Sequence, residues 1–206
     1  MKRLYLLRHG QTEFNVKKLV QGRCDSPLTD LGRHQAQTAA AWLKAHGVVP
    51  DKVVSSPLGR AMDTAQLVAT ELLGADAAAE PCKGIIERCY GTFEEGPHDA
   101  LPTDVWDPGE DLVPFGGEGS RALQERMVDT LTNLMGAEGI ETLLAVSHGS
   151  ASRQFIKAAA PEGFELPAKP PNCAIMVFDF DDTREEDDTP QCKFTLQQIV
   201  DPQQSN

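Results

Sequence analysis

Arg3-Leu4-Tyr5-Leu6-Leu7-Arg8-His9-Gly10 stands at the head of the chain, and its reading decides the fold. Leu4 to Leu7 form a short apolar run without a charged residue inside it. Such a run suits a strand covered on both faces, as in a parallel sheet. Arg8 and His9 end it. Thr142 to Ser147 is a second, more apolar run, and it ends on His148-Gly149. Lys52-Val53-Val54-Ser55 is a third. Helical segments fall between these runs. Thr29 or Asp30 caps a helix reaching about His46, where Gly47 ends it. Ser56 is expected to cap a helix with Pro57 at its first position, ending near Gly74. Ser120 is expected to cap another through about Met135-Gly136, and a further helix starts near Ser152. Cys173 to Phe180 and Lys193 to Val200 read as two more strands, antiparallel neighbours.

This alternation predicts an α/β fold: a three-layer sandwich with a mostly parallel central sheet, an antiparallel edge strand, and helices on both faces. No repeat or long linker divides the 206 residues, so one domain over 1–206 is expected. In such sheets ligands sit just beyond the carboxyl ends of the strands. His9 and His148 occupy that position. Arg60 lies in the first turn of the helix after the Val53 strand. Three separated segments therefore converge on one rim.

The chain carries 19 Lys and Arg against 31 Asp and Glu, a net charge of −12. A pI near 4.8 argues against nucleic acid and anionic membranes as partners. The apolar run after Arg3 is four residues long. A secretory leader needs roughly 7–15 apolar residues and a membrane span roughly 20. The five cysteines are odd in number and form no C-x-x-C, which reads as reduced thiols and a cytoplasmic protein. Charge is uneven. Residues 1–60 hold ten Lys/Arg and four Asp/Glu, whereas residues 92–118 hold eight acids and no Lys or Arg. Asp179 to Asp188 holds seven acids and one arginine, the pattern of a solvated hairpin loop.

The rim residues permit one kind of chemistry. A phosphoryl group carries about −1.5 to −2 charges at neutral pH. Arg8 and Arg60 offer forked donors that match its oxygens. A protonated His148 would add a third cation, and the amino end of the Ser56 helix would add dipole and free N–H groups. Asn15 and Thr12 supply neutral donors. A neutral His9 can attack phosphorus and hold the phosphoryl group covalently. The leaving alkoxide needs a proton and the incoming water must lose one, and Glu87 is the candidate for both transfers. A cation at Arg60 opposes the helix dipole, which favours a role in anion binding. His34, His46 and His98 lack metal-ligand spacing and read as surface residues. No metal site is expected.

Leu6-Leu7-Arg8-His9-Gly10-Gln11-Thr12-Glu13-Phe14-Asn15 resembles the signature of the histidine phosphatase superfamily, the phosphoglycerate-mutase-like fold. The resemblance continues through Gln21-Gly22-Arg23, Ser26-Pro27-Leu28-Thr29-Asp30-Leu31-Gly32, Ser55-Ser56-Pro57-Leu58-Gly59-Arg60-Ala61, Glu87, Gly91 and Ser147-His148-Gly149. It implies that His9 is the phosphorylated nucleophile, that Arg8, Arg60 and His148 form the phosphate pocket, and that Asn15 contacts it. It implies Glu87 as proton donor and no metal or diffusible cofactor for hydrolysis. Gln21, Gly22 and Gly149, inside the matching motifs, are assigned to substrate binding on the same ground.

The departures bear on specificity. Glu87-Arg88-Cys89-Tyr90-Gly91 resembles the cofactor-dependent phosphoglycerate mutases, which usually carry histidine where Cys89 stands. Phe93-Glu94-Glu95-Gly96 has one acid more than the family's usual string, and Gly116-Gly117-Glu118-Gly119-Ser120 has an inserted glycine. These changes fall in residues 92–118, expected to cover the site. A mutase needs extra cations there to grip a multiply charged substrate, and none lies between Cys89 and Ser120. The expected enzyme is a phosphomonoester hydrolase. A cofactor-dependent phosphoglycerate mutase and a non-catalytic phosphate-binding module are the alternatives. The expected partner is a small-molecule phosphomonoester, and a homodimer is compatible with the sequence.

Overall fold

The computed structural model describes residues 1–161, 164–166, 170–182 and 193–204. One sheet of six strands runs through it: β1 (Lys2–Arg8), β2 (Lys52–Ser55), β3 (Glu80–Pro81), β4 (Thr142–Ser147), β5 (Ile175–Phe180) and β6 (Phe194–Val200). Their spatial order is β3-β2-β4-β1-β5-β6. β1, β2, β3 and β4 are mutually parallel, and β5 runs against β1 and pairs antiparallel with β6 at one edge. The five α-helices among the described residues are α1 (Glu13–Lys17), α2 (Asp30–Ala45), α3 (Gly59–Leu73), α4 (Ser120–Gly136) and α5 (Gly149–Ala159).

The two-residue period of a strand sorts the core into two layers. Leu4 and Leu6 of β1, with Leu143 and Ala145 of β4, face Leu123, Met127, Leu131 and Phe155 of α4 and α5. Tyr5 and Leu7, with Leu144 and Val146, face Ala36, Ala40, Leu43, Ala61, Ala65 and Val68 of α2 and α3. Both layers are apolar, which is why the β1 and β4 sequences show no polar alternation. A third, smaller cluster of Val20, Tyr90, Leu101 and Leu112 holds the segment above the carboxyl ends of the strands. The acidic stretch from Asp179 is described as far as Asp182, and the rest of that expected hairpin lies outside the described residues.

Three helix starts differ from the sequence reading, for one shared reason. α3 begins at Gly59 with Leu58 as its N-cap, not at Pro57 behind Ser56. Its first N–H groups, Gly59 N and Arg60 N, donate to the carboxylate of Asp25 at 2.6 and 3.3 Å. α4 has Gly119 as N-cap rather than Ser120, and Arg121 N donates to Glu110 Oε1 at 3.0 Å. α5 begins at Gly149 with His148 as N-cap, three residues before Ser152. Ser150 N and Ala151 N donate to Glu87 at 3.2 and 2.9 Å. In each case an acid from a distant segment does the work that a local serine or threonine does in an ordinary cap. The N–H groups expected to meet a phosphate at the start of α3 are therefore engaged by Asp25.

Candidate active site

Strand register builds the centre of the site. Arg8 lies opposite Ser147, and Ser55 opposite Val146. One residue further along, His9 and His148 stand side by side, with ring centroids 5.1 Å apart. Ser56 follows from β2, and its Oγ lies 2.7 Å from His148 Nε2. His9 is 2% exposed and His148 0%.

His9 Nδ1 lies 2.7 Å from Gly10 O. A carbonyl can only accept, so Nδ1 carries the proton and Nε2 keeps its lone pair. Burial, then the charges of Arg60 and Arg8, hold the His9 pKa well below the usual 6.5. Burial does the same to His148, helped by Arg60, His9 and Arg8. Without an anion beside it, His148 is thus disfavoured as a third cation, and its ring is paired with the Ser56 hydroxyl.

Both histidines link stability to pH. Unfolded, each takes up a proton below about pH 6.5, whereas the fold resists protonation. Their contribution is present above the unfolded value and is lost as pH falls below it. Between about pH 7.5 and about pH 5.5 the loss is of order 1 kcal/mol per histidine. Urea denaturation across that range should show it, and His148→Gln should flatten the slope. A variant as acid-sensitive as the parent would contradict the assignment.

Arg8 and Arg60 are each 1% exposed. Arg8 donates from Nη1 to Pro170 O, and its guanidinium lies over the Trp106 ring, 5.3 Å from the centroid. Burial lowers its pKa to about 10, opposed by Glu87, so it remains a cation at neutral pH. Arg60 donates to Cys24 O and Gly22 O, both at 2.7 Å, and to Asp25 Oδ1 at 3.3 Å. Burial lowers its pKa as well. Among the described residues, Arg8 Nε and Arg60 Nε are buried without an acceptor, and His148 Nδ1 without a partner. Buried donors are normally satisfied, so two orphaned guanidinium N–H groups at one cavity point to an anion.

Glu87 is 7% exposed. It accepts from Arg88 N at 2.8 Å as well as from Ser150 N and Ala151 N. Arg88, fully buried, runs beneath it and donates to Ser150 Oγ at 2.9 Å, Glu118 O at 2.8 Å and Ser120 Oγ at 2.9 Å. Arg126 in turn grips the Glu118 carboxylate at 2.9 and 2.8 Å. The end of residues 92–118 is thereby tied to the floor of the site.

The cavity is lined by Arg8, His9, Asn15, Gln21, Gly22, Arg60 and Glu87, and by Leu19, Val20, Tyr90, His98, Val105 and Trp106. Asn15 Oδ1 accepts from Thr12 N and Asn172 Nδ2, both at 3.2 Å, which leaves its NH2 as the end with donors to give. Thr12 departs from expectation. Its hydroxyl caps α1, accepting from Asn15 N and donating to Gln21 Oε1, and is fully buried. Gly149 is not a lining residue; it packs beneath Trp106 and Arg8, where a Cβ would come within 2.7 Å of the indole. His98, expected on the surface, lines the cavity with Nε2 3.2 Å from Leu19 O. Asp25, Arg88 and Asn172 were given no role by sequence reasoning. Each acts through a partner more than thirty residues away, so no local spacing marks it. Among the described residues, no group of three or more His, Cys, Asp or Glu side chains is placed to hold a metal ion. No helix among them is long and apolar enough to cross a membrane.

The central parallel strands of this mixed sheet thus end on paired imidazoles beside two buried guanidiniums. The chain belongs to the histidine phosphatase superfamily (branch 1), whose family model matches residues 4–189. It is 34% identical over 166 residues to a broad-specificity phosphatase of Saccharomyces cerevisiae, covering 75% of this chain and 69% of that one. It is 36% identical over 190 residues to the probable phosphoglycerate mutase GpmB of Serratia proteamaculans, covering 87% and 85%. A phosphoserine phosphatase of Entamoeba histolytica, solved in complex with phosphoserine, superimposes with a TM-score of 0.74 at 27% identity, covering 98% of each chain.

Proposed function

We propose that the protein is a phosphomonoester hydrolase that works through a phosphohistidine on His9. What supports this most is a neutral, buried His9 with Nδ1 tied to Gly10 O, in a cavity that also holds Arg8, Arg60 and Glu87. His9 Nε2 attacks phosphorus as the bond to the ester oxygen breaks. Glu87 gives a proton to the departing alkoxide. Water then attacks the phosphorus, Glu87 takes its proton, and the P–N bond breaks to return neutral His9 and orthophosphate. Arg8 and Arg60 hold the equatorial oxygens through both displacements. His148 donates from Nε2 or Nδ1, and Asn15, Gln21 and Gly22 complete the phosphoryl end. Residues 92–118 act as the cover. The four described cysteines, Cys24, Cys82, Cys89 and Cys173, are free thiols, which supports a cytoplasmic site of action.

Among the described residues, Arg8 and Arg60 are the Arg or Lys side chains that line the cavity. One phosphoryl group satisfies them. A mutase must hold a second anionic group as well, and the remaining lining offers mainly Leu19, Val20, Tyr90, Val105 and Trp106. We therefore infer a preference for monophosphates whose remaining part is apolar, neutral or cationic. A panel with phenyl phosphate, phosphoserine, glycerol phosphate and a sugar bisphosphate, run beside a 3-phosphoglycerate isomerisation assay, tests both points. Aryl monophosphate should turn over fastest. Faster bisphosphate turnover would reject the preference, and isomerisation with little phosphate release would establish the mutase.

A further inference from the structure

We propose that Trp106 sorts substrates: its indole is the wall on which a planar, aromatic leaving group lies, so that aryl-bearing phosphomonoesters are the preferred class. The inference rests on the reading of the cavity as a phosphomonoester site and names what lies beyond the phosphoryl end.

Trp106 lines the same cavity as His9 and Glu87 and is half-buried. Its ring covers the Arg8 guanidinium and rests against Gly149, so it borders the phosphate-binding groups directly. The segment that carries the ring is also held in place by its neighbours. Tyr90 Oη donates to Val105 O at 2.7 Å, and Trp106 N donates to Asp104 Oδ1 at 2.9 Å. Asp107 accepts from Gln154 Nε2 at 3.0 Å and from Lys157 Nζ at 2.5 Å, which pins the far side of the segment to α5. His98 meets the indole edge-on, with centroids 6.4 Å apart and planes at 87°. A ring carried on a braced segment and packed against Arg8 and His98 loses little freedom when a second ring stacks on it. Leu19, Val20 and Val105 continue the wall with apolar surface. Stacked or edge-on aromatic pairs add free energy beyond area burial, and an alkyl group of like charge gains only the area.

Phosphonates test this without leaving-group chemistry. The affinities of benzylphosphonate and ethylphosphonate would be measured calorimetrically for the full chain and for W106A, W106F and W106L. The ratio of benzyl to ethyl affinity should fall about tenfold in W106A, recover in W106F, and recover only partly in W106L, which is apolar without a π face. A ratio unchanged in the variants, or an equal loss for both ligands, overturns the role of Trp106 while leaving the phosphate site in place. If W106A does not fold, the F-to-L comparison decides the same point. If the parent binds neither phosphonate and hydrolyses no monoester, the underlying phosphatase reading fails, and this proposal falls with it.

Discussion

Replacing His9 with alanine should abolish turnover, by at least about 10³-fold, while orthophosphate still binds within about tenfold of the parent affinity. The two readouts separate because the anion is held by groups the substitution leaves alone. Arg60 is oriented by Gly22 O, Cys24 O and Asp25, and Arg8 by Pro170 O and Trp106. His9 itself makes one side-chain hydrogen bond among the described residues, to its neighbour Gly10. Removing it breaks no distant tether. Labelling sharpens the result. The parent, quenched during turnover of a labelled monoester, should carry an acid-labile, base-stable phosphoryl group, and His9→Ala should carry none. The variant should also lose part of the acid sensitivity attributed to the two buried imidazoles, since one group that must stay neutral in the fold is gone. A variant that keeps both the label and the rate would remove His9 from the chemistry, whereas a parent with neither label nor turnover would favour the phosphate-binding module.

The centre of this site was legible in the sequence because it rests on strand ends. Arg8-His9 and Ser147-His148 each terminate an unbroken apolar run, and parallel pairing of two such runs places the histidines together without help from any loop. The three-layer sandwich followed from the same runs, since a strand with no polar face must be covered twice. Helix starts were misread where capping is tertiary. Ser56 and Ser120 are good local caps by composition, and Ser152 was the expected helix start, yet Asp25, Glu110 and Glu87 take those ends from thirty-four, eleven and sixty-three residues away. Ser56 is drawn off to His148, and the Ser120 hydroxyl to Arg88. His98 was misread for a related reason. The chain at Lys18 to Val20 pairs with residues 95–98 through Val20 N to Gly96 O at 2.8 Å and His98 N to Lys18 O at 3.1 Å. That pairing turns an apparently surface histidine into part of the cavity wall, and no periodicity announces it. The acids of residues 92–118, conspicuous as charge, are in good part internal braces: Glu94 accepts from Arg23 N, Cys24 N and Tyr90 N, and Glu118 pairs with Arg126.

Glu87→Gln should slow hydrolysis of alkyl monophosphates by about 10²–10⁴-fold and slow p-nitrophenyl phosphate much less. The difference follows from what the leaving group needs. An alkoxide departs poorly without a proton, and the amide cannot give one, whereas a nitrophenolate leaves unaided. The comparison is necessary because Glu87 also braces the fold. Its carboxylate accepts three backbone N–H groups, two of them from the first turn of α5. Glutamine presents one accepting oxygen and an NH2 to that same set, so one donor is set against another, at a cost of about 1–3 kcal/mol in stability. A loss of order through that conflict would lower the rate for both esters alike, through a displaced α5 and the His148 that caps it. Unequal losses cannot arise that way. Equal losses on the two ester classes would leave Glu87 as a tertiary helix cap and assign the proton to another group.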